Sequence, residues 1–346
     1  MPDVDPRDPD DATARGGLAI SLVLGAGGAR GYAHIGVIEE LLAQGFDIRS
    51  IAGSSMGALI GGIHAAGKLD VYRDWVRPLQ RFDVLRMLDW TISGGGFIKG
   101  NRIIGALKDL IGEVDIEDLP IAYTAVAVDI DVQREVWFSR GPLFDAIRAS
   151  IAIPTIFRPY RYHGRTLVDG GLLNPLPVSP TLRDRTDATI AVDVNAPAEP
   201  LDGDDGDADR SRRSAAMNHG TGGLSSPEIM SGDPAADAAD RSESSGAGYR
   251  QKVAAFIESL HDKRTQRAAE HELGVFDLVT RSLDTVQETI TRLKLAAQPP
   301  DLLITIPRNA CAFYEFYRAE EVIEIGRRRT REALAHWHRP ARRWSR

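Results

Sequence analysis

The chain alternates between short unbroken apolar runs and longer stretches in which apolar residues return every three or four positions. Residues 18–24 form the first run; it contains β-branched side chains and ends in glycine, which predicts a buried strand. Residues 32–44 then place Ile35, Ile38, Leu41 and Leu42 at helical spacing. The same order repeats at once, with an apolar run over 48–52, a glycine turn and a helical stretch over 56–66. Two successive strand–turn–helix units predict a parallel sheet flanked by helices. Farther on, 70–112 reads as mostly helical, broken by Gly94, Gly95 and Gly96. Residues 121–129 and 134–139 read as paired strands, and 142–151 returns to helical spacing. Residues 160–162 and 166–168 flank His163, Gly164 and Arg165, which have the chemistry of a hairpin turn. Runs over 188–194 and 302–306 supply further strands, and helical patterns cover 249–260, 270–296 and 318–337.

Residues 198–248 break this pattern. They are rich in Asp, Ser, Gly and Ala, nearly lack aromatics and show no hydrophobic period, so they read as a disordered acidic and polar insertion. Residues 1–16 are rich in Asp and Pro and lack the basic start and apolar stretch of a signal peptide; they read as a disordered N-terminal tail. No internal repeat is evident. The expectation is one α/β domain in two parts, 17–197 and 249–337, closed by a basic tail over 338–346.

Composition narrows the function classes. No stretch reaches about 18 consecutive apolar residues, so no membrane span is expected. The 346 residues are 43% hydrophobic and 26% charged, ordinary for a soluble globular chain. A net charge of −7 gives no overall reason to expect a nucleic-acid partner. Cys311 is the only cysteine, which excludes an intrachain disulfide and a thiolate metal cluster and fits a cytoplasmic location.

The strongest local signal is Gly53-Ser54-Ser55-Met56-Gly57, a G-x-S-x-G between a predicted strand and helix. A sharp turn there lifts the middle serine out of the backbone, and flanking glycines remove side chains that would clash. The helix start also offers free N–H groups and the positive end of a dipole. A second glycine loop, 25–31, lies in the same kind of place. A dinucleotide fingerprint needs glycines at offsets 0, 2 and 5; counted from Gly25, the last position is Arg30, and Asp47 precedes its strand rather than ending it. An oxyanion hole is the alternative, with Gly27 and Gly28 as candidate donors. Arg30 is a candidate to brace that loop, to meet a lipid phosphate, or to form a surface ion pair.

A nucleophilic serine needs a base. The histidines after Ser55 are His64, His163, His219, His261, His271, His336 and His338, and none follows a predicted strand end as the usual triad order requires. Attention therefore shifts to carboxylates. Asp169, in Val168-Asp169-Gly170-Gly171, is presented on a turn after a short strand, and Asp129 and Asp193 are its rivals at other strand ends.

Several segments together resemble the patatin-like phospholipases, in particular the bacterial branch similar to the catalytic domain of neuropathy target esterase. They are LVLGAGGARGYAHIG (22–36), IAGSSMGALIGG (51–62) and LVDGGLLNPLP (167–177). ASIAIPTIF (149–157) resembles a core segment of the family, and 300–303 with 316–326 resemble its closing strand and helix. The match covers roughly 18–195 and 250–335. The resemblance implies a three-layer α/β/α fold with a mostly parallel central sheet. It also implies a Ser–Asp dyad without a catalytic histidine: Ser55 as nucleophile, Asp169 as base, Gly27 and Gly28 as oxyanion donors, and Arg30 following the loop. The implied activity is hydrolysis of a lipid or lysophospholipid ester, with no metal and no cofactor. Ala26, where many members carry glycine, is one departure, and the long 198–248 insertion is another. A catalytically silent, regulatory relative is the alternative, against which the intact Ser55 and Asp169 argue.

A lipase must meet aggregated substrate. Residues 327–346 carry Arg327, Arg328, Arg329, Arg331, Arg339, Arg342, Arg343 and Arg346 with Trp337 and Trp344 among them, and Glu332 is their only acid. Such a stretch suits peripheral contact with an anionic surface at the inner face of the membrane. A solvated helix end is the plainer reading.

Overall fold

In the computed structural model, which describes residues 17–87, 96–199 and 275–338, the short apolar runs become strands and the periodic stretches helices. The first half holds β1 (Ala19–Leu24), α1 (Ala33–Ala43), β2 (Asp47–Ser54), α2 (Met56–Ala65), α3 (Leu69–Val76), α4 (Arg81–Met87), β3 (Gly96–Ile98) and α5 (Asn101–Ile111). Then come β4 (Ala122–Asp129), β5 (Arg134–Phe138), α6 (Leu143–Ser150), β6 (Thr155–Phe157), β7 (Tyr160–Tyr162), β8 (Arg165–Asp169) and β9 (Ala188–Ala196). The chain closes with α7 (Val275–Ala297), β10 (Leu302–Pro307) and α8 (Ala319–Ala335). Among the described residues, 17–87, 96–199 and 280–338 belong to one compact unit. The expected tail 1–16, the insertion from residue 200 onward, the helical pattern over 249–260 and the residues from 339 lie outside the described residues.

Eight strands form one mixed sheet. Five run parallel in the order β10-β9-β1-β2-β4. The far side is antiparallel, with β4 against β5 and β8, and β8 against β7. The register carries one functional consequence. Val126 of β4 pairs with Ser54 on one edge and Trp137 on the other, while Ala127 pairs with Asp169 and Val136. Strands β2 and β8 therefore share one edge of β4, and β8 takes over where β2 leaves. Their ends meet at consecutive β4 residues, which brings the residue after Ser54 beside Asp169.

Alternation along β1 builds the layers. Ile20, Leu22 and Leu24 point into the main core with residues of α1, α2 and α8. Val23 points the other way, to Leu176, Val178 and Ala191, with Leu295 of α7 packed against them. Helices on both faces of a central sheet give the three-layer α/β/α arrangement expected.

Two features were not predicted. Strands β3 and β6, three residues each, form a separate parallel pair; elements that short carry no readable period. The arginines at the C-terminal helix are also largely engaged. Arg327 pairs with Glu39 and Glu324, Arg328 with Glu332, Arg329 with Glu199 and Glu332, and Arg331 with Glu40 and Glu324. Trp337 packs on Phe46 and donates its indole N–H to the Asp301 carbonyl. Three of the five acids that answer this charge, Glu39, Glu40 and Glu199, come from other elements, which a count along 327–346 misses.

Candidate active site

Ser55 sits between β2 and α2 with φ 55° and ψ −123°. A non-glycine residue there costs on the order of 1–3 kcal/mol and persists only where its surroundings over-determine it. The flanking glycines explain how the turn closes. A Cβ at Gly53 would run into the main chain of Gly57, and one at Gly57 into the Leu24 carbonyl. Released by this turn, the Ser55 hydroxyl donates to Asp169 Oδ2 at 2.6 Å. Both side chains are buried.

Asp169 ends β8, and its Oδ1 accepts the Gly171 N–H at 2.7 Å. Burial pushes its carboxyl up to about 7, against the lowering effect of the hydrogen bonds from Ser55 and Gly171. Its rivals are spent elsewhere. Asp129 Oδ1 accepts from the Asp131 and Val132 amides of a turn, and Asp193 Oδ1 accepts from the Asn195 amide.

The glycine loop leaves β1 at the same end of the sheet. The amides of Gly25, Ala26 and Ala29 donate to the carbonyls of Val192, Pro175 and Phe313. Among the described residues, those of Gly27 and Gly28 have no hydrogen-bond partner. Gly28 has φ 55°, and a Cβ there would run into the ring and carbonyl of Phe313. Behind the loop, Arg30 is buried and donates from Nη2 to Asn195 Oδ1 at 2.7 Å, while Asn195 Nδ2 donates to the Ala26 carbonyl at 2.6 Å. Burial lowers the guanidinium pKa; the charges of Asp284 and Asp193 oppose that shift. This is the bracing geometry, and a free surface ion pair is not what Arg30 makes.

Gly27, Arg30, Ser55 and Asp169 line one cavity of about 40 Å³. Its wall also includes Ile153, Pro154, Leu172, Leu283 and Asp284 of α7, and Phe313. A larger cavity of about 220 Å³ lies along the earlier parts of β2 and β4 and includes a second serine–aspartate contact. There Ser50 Oγ donates to Asp184 Oδ2 at 2.5 Å. Ser50 is mid-strand with no strained turn, and Asp184 also accepts from Ser21. That contact reads as a buried structural network. Ligands in open α/β sheets bind beyond the carboxyl ends of the strands, which is where Ser55 lies.

A family model described as patatin-like phospholipase matches residues 22–182. An uncharacterized NTE family protein of Mycobacterium tuberculosis is 40% identical over 330 residues, covering 91% of each chain. The chain belongs to the patatin-like phospholipase family. Lysophospholipase NTE1 of Yarrowia lipolytica is 32% identical over 188 residues, 52% of this chain and 13% of its own. Among solved structures, VipD from Legionella pneumophila covers 92% of this chain and 67% of its own at a TM-score of 0.39 and 13% identity, too distant to bear on the site.

Within this patatin-like chain, Ala26 departs from glycine without strain. The non-glycine residues of positive φ among those described are Ser55, Gln133, Thr155 and His163. No histidine lines the cavity among the described residues. His163 is exposed on its hairpin tip; His64 lies in α2, where burial pushes its imidazole down to about 4. His219, His261 and His271 fall outside the described residues. One histidine that precedes Ser55 does serve the loop. His34 Nε2 lies 2.8 Å from the Gly25 carbonyl, and burial holds its pKa at about 4, so the neutral ring donates there. Asn195 and the α7 residues were also missed, because nothing local in sequence ties them to the glycine loop. Among the described residues no group of His, Cys, Asp and Glu is arranged to hold a metal ion, and no helix is long and apolar enough to cross a membrane.

Proposed function

We propose that the chain is a serine acyl-ester hydrolase of lipids, of phospholipase or lysophospholipase type, working through Ser55 and Asp169. The observation that carries this reading is the 2.6 Å hydrogen bond from Ser55 Oγ to Asp169 on a strained turn. Asp169 takes the Ser55 proton as Oγ attacks the ester carbonyl. The carbonyl oxygen becomes an oxyanion, which the Gly27 and Gly28 amides stabilise. Collapse breaks the ester bond, and the departing alcohol takes the proton from Asp169. Water then attacks the acyl-serine while Asp169 accepts its proton. The fatty acid leaves, and the proton returns to Ser55. A carboxyl at about 7 suits both halves of the cycle, since a base works best with a pKa near the working pH.

The test is a short-chain fluorophosphonate, chosen to suit the narrow cavity. The intact chain is expected to carry one adduct, located by peptide mass spectrometry on Ser55. An adduct on Ser50, or none at all, would end the reading.

Membrane contact through the C-terminus belongs to the same proposal. The arginines of α8 are ion-paired within the protein, so the role falls to Arg339, Arg342, Arg343, Arg346 and Trp344. Truncation after His338 removes four arginines and is expected to weaken binding to anionic vesicles by at least about tenfold at low salt. Unchanged partition would remove the tail from the proposal. A cytoplasmic site of action, at the inner membrane face, is supported by the single, buried Cys311.

A further inference from the structure

We propose that Ser150 is the positioning residue of this site, its hydroxyl fixing the main chain of Ser55 so that the nucleophile stays on Asp169. The inference rests on the reading of Ser55 as nucleophile. Ser150 is the last residue of α6 and is fully buried. Its Oγ accepts the Ser55 N–H at 2.9 Å and donates to the Val126 carbonyl at 2.6 Å. A hydroxyl has one proton to give and lone pairs to receive, so both capacities are used in fixed directions. The Ser55 N–H needs that acceptor, because a helix start leaves its first amides without intrahelical partners and this one is shut away from water.

Val126 is not an arbitrary anchor. It is the β4 residue opposite Ser54, and its neighbour Ala127 pairs with Asp169. Ser150 therefore ties the strained turn to the strand that also sets the register of the base. Two residues on, the Ala152 carbonyl accepts the Asp169 N–H at 3.0 Å. Ser150 and Ala152, two residues apart, thus hold the backbones of both dyad partners. The next four, Ile153, Pro154, Thr155 and Ile156, line the cavity itself. This gives a role to the 149–157 segment, which the sequence singles out without assigning one. Ser150 does not line the cavity, so its action is through Ser55.

The experiment uses the full chain and compares wild type with Ser150→Ala, Ser150→Thr and Thr330→Val between pH 5 and 9. Thr330 is a buried hydroxyl on α8 that donates to the Gly326 carbonyl and does not line the cavity, and it controls for general loss of a buried hydrogen bond. The readouts are kcat and KM on p-nitrophenyl butyrate and the rate of fluorophosphonate labelling. Misplacing a reacting group by about 1 Å can cost on the order of 100-fold. Ser150→Ala is expected to lower kcat and the labelling rate about 30- to 100-fold, with KM within about twofold. Its acid limb should move to higher pH, because the Ser55 hydrogen bond that lowers the Asp169 pKa is weakened. Ser150→Thr should recover at least about a third of the activity, and Thr330→Val should match wild type. If Ser150→Ala fails to fold, Ser150→Cys, similar in size but a poorer acceptor, reads the same effect. Wild-type labelling in Ser150→Ala, no recovery with threonine, or an unmoved acid limb would each overturn the proposal. A wild-type chain that does not label removes the nucleophile reading as well, whereas a labelled wild type with an unaffected Ser150→Ala removes this inference alone.

Discussion

Asp169→Asn is expected to lose ester hydrolysis by about 1,000-fold or more while melting higher than wild type at pH 8. The amide is close to isosteric and can keep the hydrogen bond from the Gly171 N–H through its oxygen. It cannot take a proton from Ser55, and general-base assistance of this kind is worth roughly 10²–10⁴ in rate. The stability gain follows from the same burial that tunes the acid. An unfolded aspartate titrates near 3.9, about three units below the buried Asp169 at about 7. The folded state therefore holds the proton more tightly than the unfolded one. The stabilisation this confers is complete below about pH 4, is lost as pH rises through about 7, and is absent at pH 8. Asparagine never carries the buried charge, so its advantage should be largest at pH 8 and shrink toward pH 4.5.

The same shift governs the wild-type rate, which should climb with pH through an apparent pKa near 7. Thermal melts of both proteins at pH 4.5 and 8, with rates on a soluble ester, decide the matter. An Asp169→Asn chain that keeps a tenth of the activity would remove Asp169 as base. A melting difference equal at both pH values would mean that the carboxyl is not held near 7.

What the sequence made legible is what lies close together along it. The turn at 53–57 and the loop at 25–31 announce themselves because glycine, strand and helix signals sit within a few residues of each other. The meeting of Ser55 with Asp169 is a different kind of fact. It depends on β8 taking over the edge of β4 that β2 leaves, a register choice between segments more than 100 residues apart. No local period encodes it, and only the family resemblance pointed to that pairing. Ser150 was hidden for the same reason: as a lone hydroxyl at a helix end it looks like any cap, and its meaning comes from the two main chains it joins. The C-terminal arginines mislead in the opposite direction. They form a basic cluster in sequence, yet Glu39, Glu40 and Glu199 answer them from elsewhere in the fold.

Gly28→Ala should reduce kcat about 100- to 1,000-fold with little change in KM, the cost expected when one oxyanion donor is lost. Alanine at φ 55° is disfavoured by roughly 1–2 kcal/mol, and its methyl would press on the ring and carbonyl of Phe313. The cheapest relief is to rotate the 27–28 peptide, which carries the proposed Gly28 donor. Two companions separate the causes. Ala26→Gly, at a position without positive φ, should stay within about threefold of wild type. Phe313→Ala combined with Gly28→Ala removes the ring but neither the carbonyl nor the φ constraint, so it should restore only a small part of the rate. Full recovery in that double variant would mean that crowding by Phe313, and not the amide direction, limits the reaction. A Gly28→Ala chain retaining a third of the wild-type kcat would take Gly28 out of the oxyanion hole. The burden would then rest on Gly27, the one loop glycine of the pair that lines the cavity with Ser55.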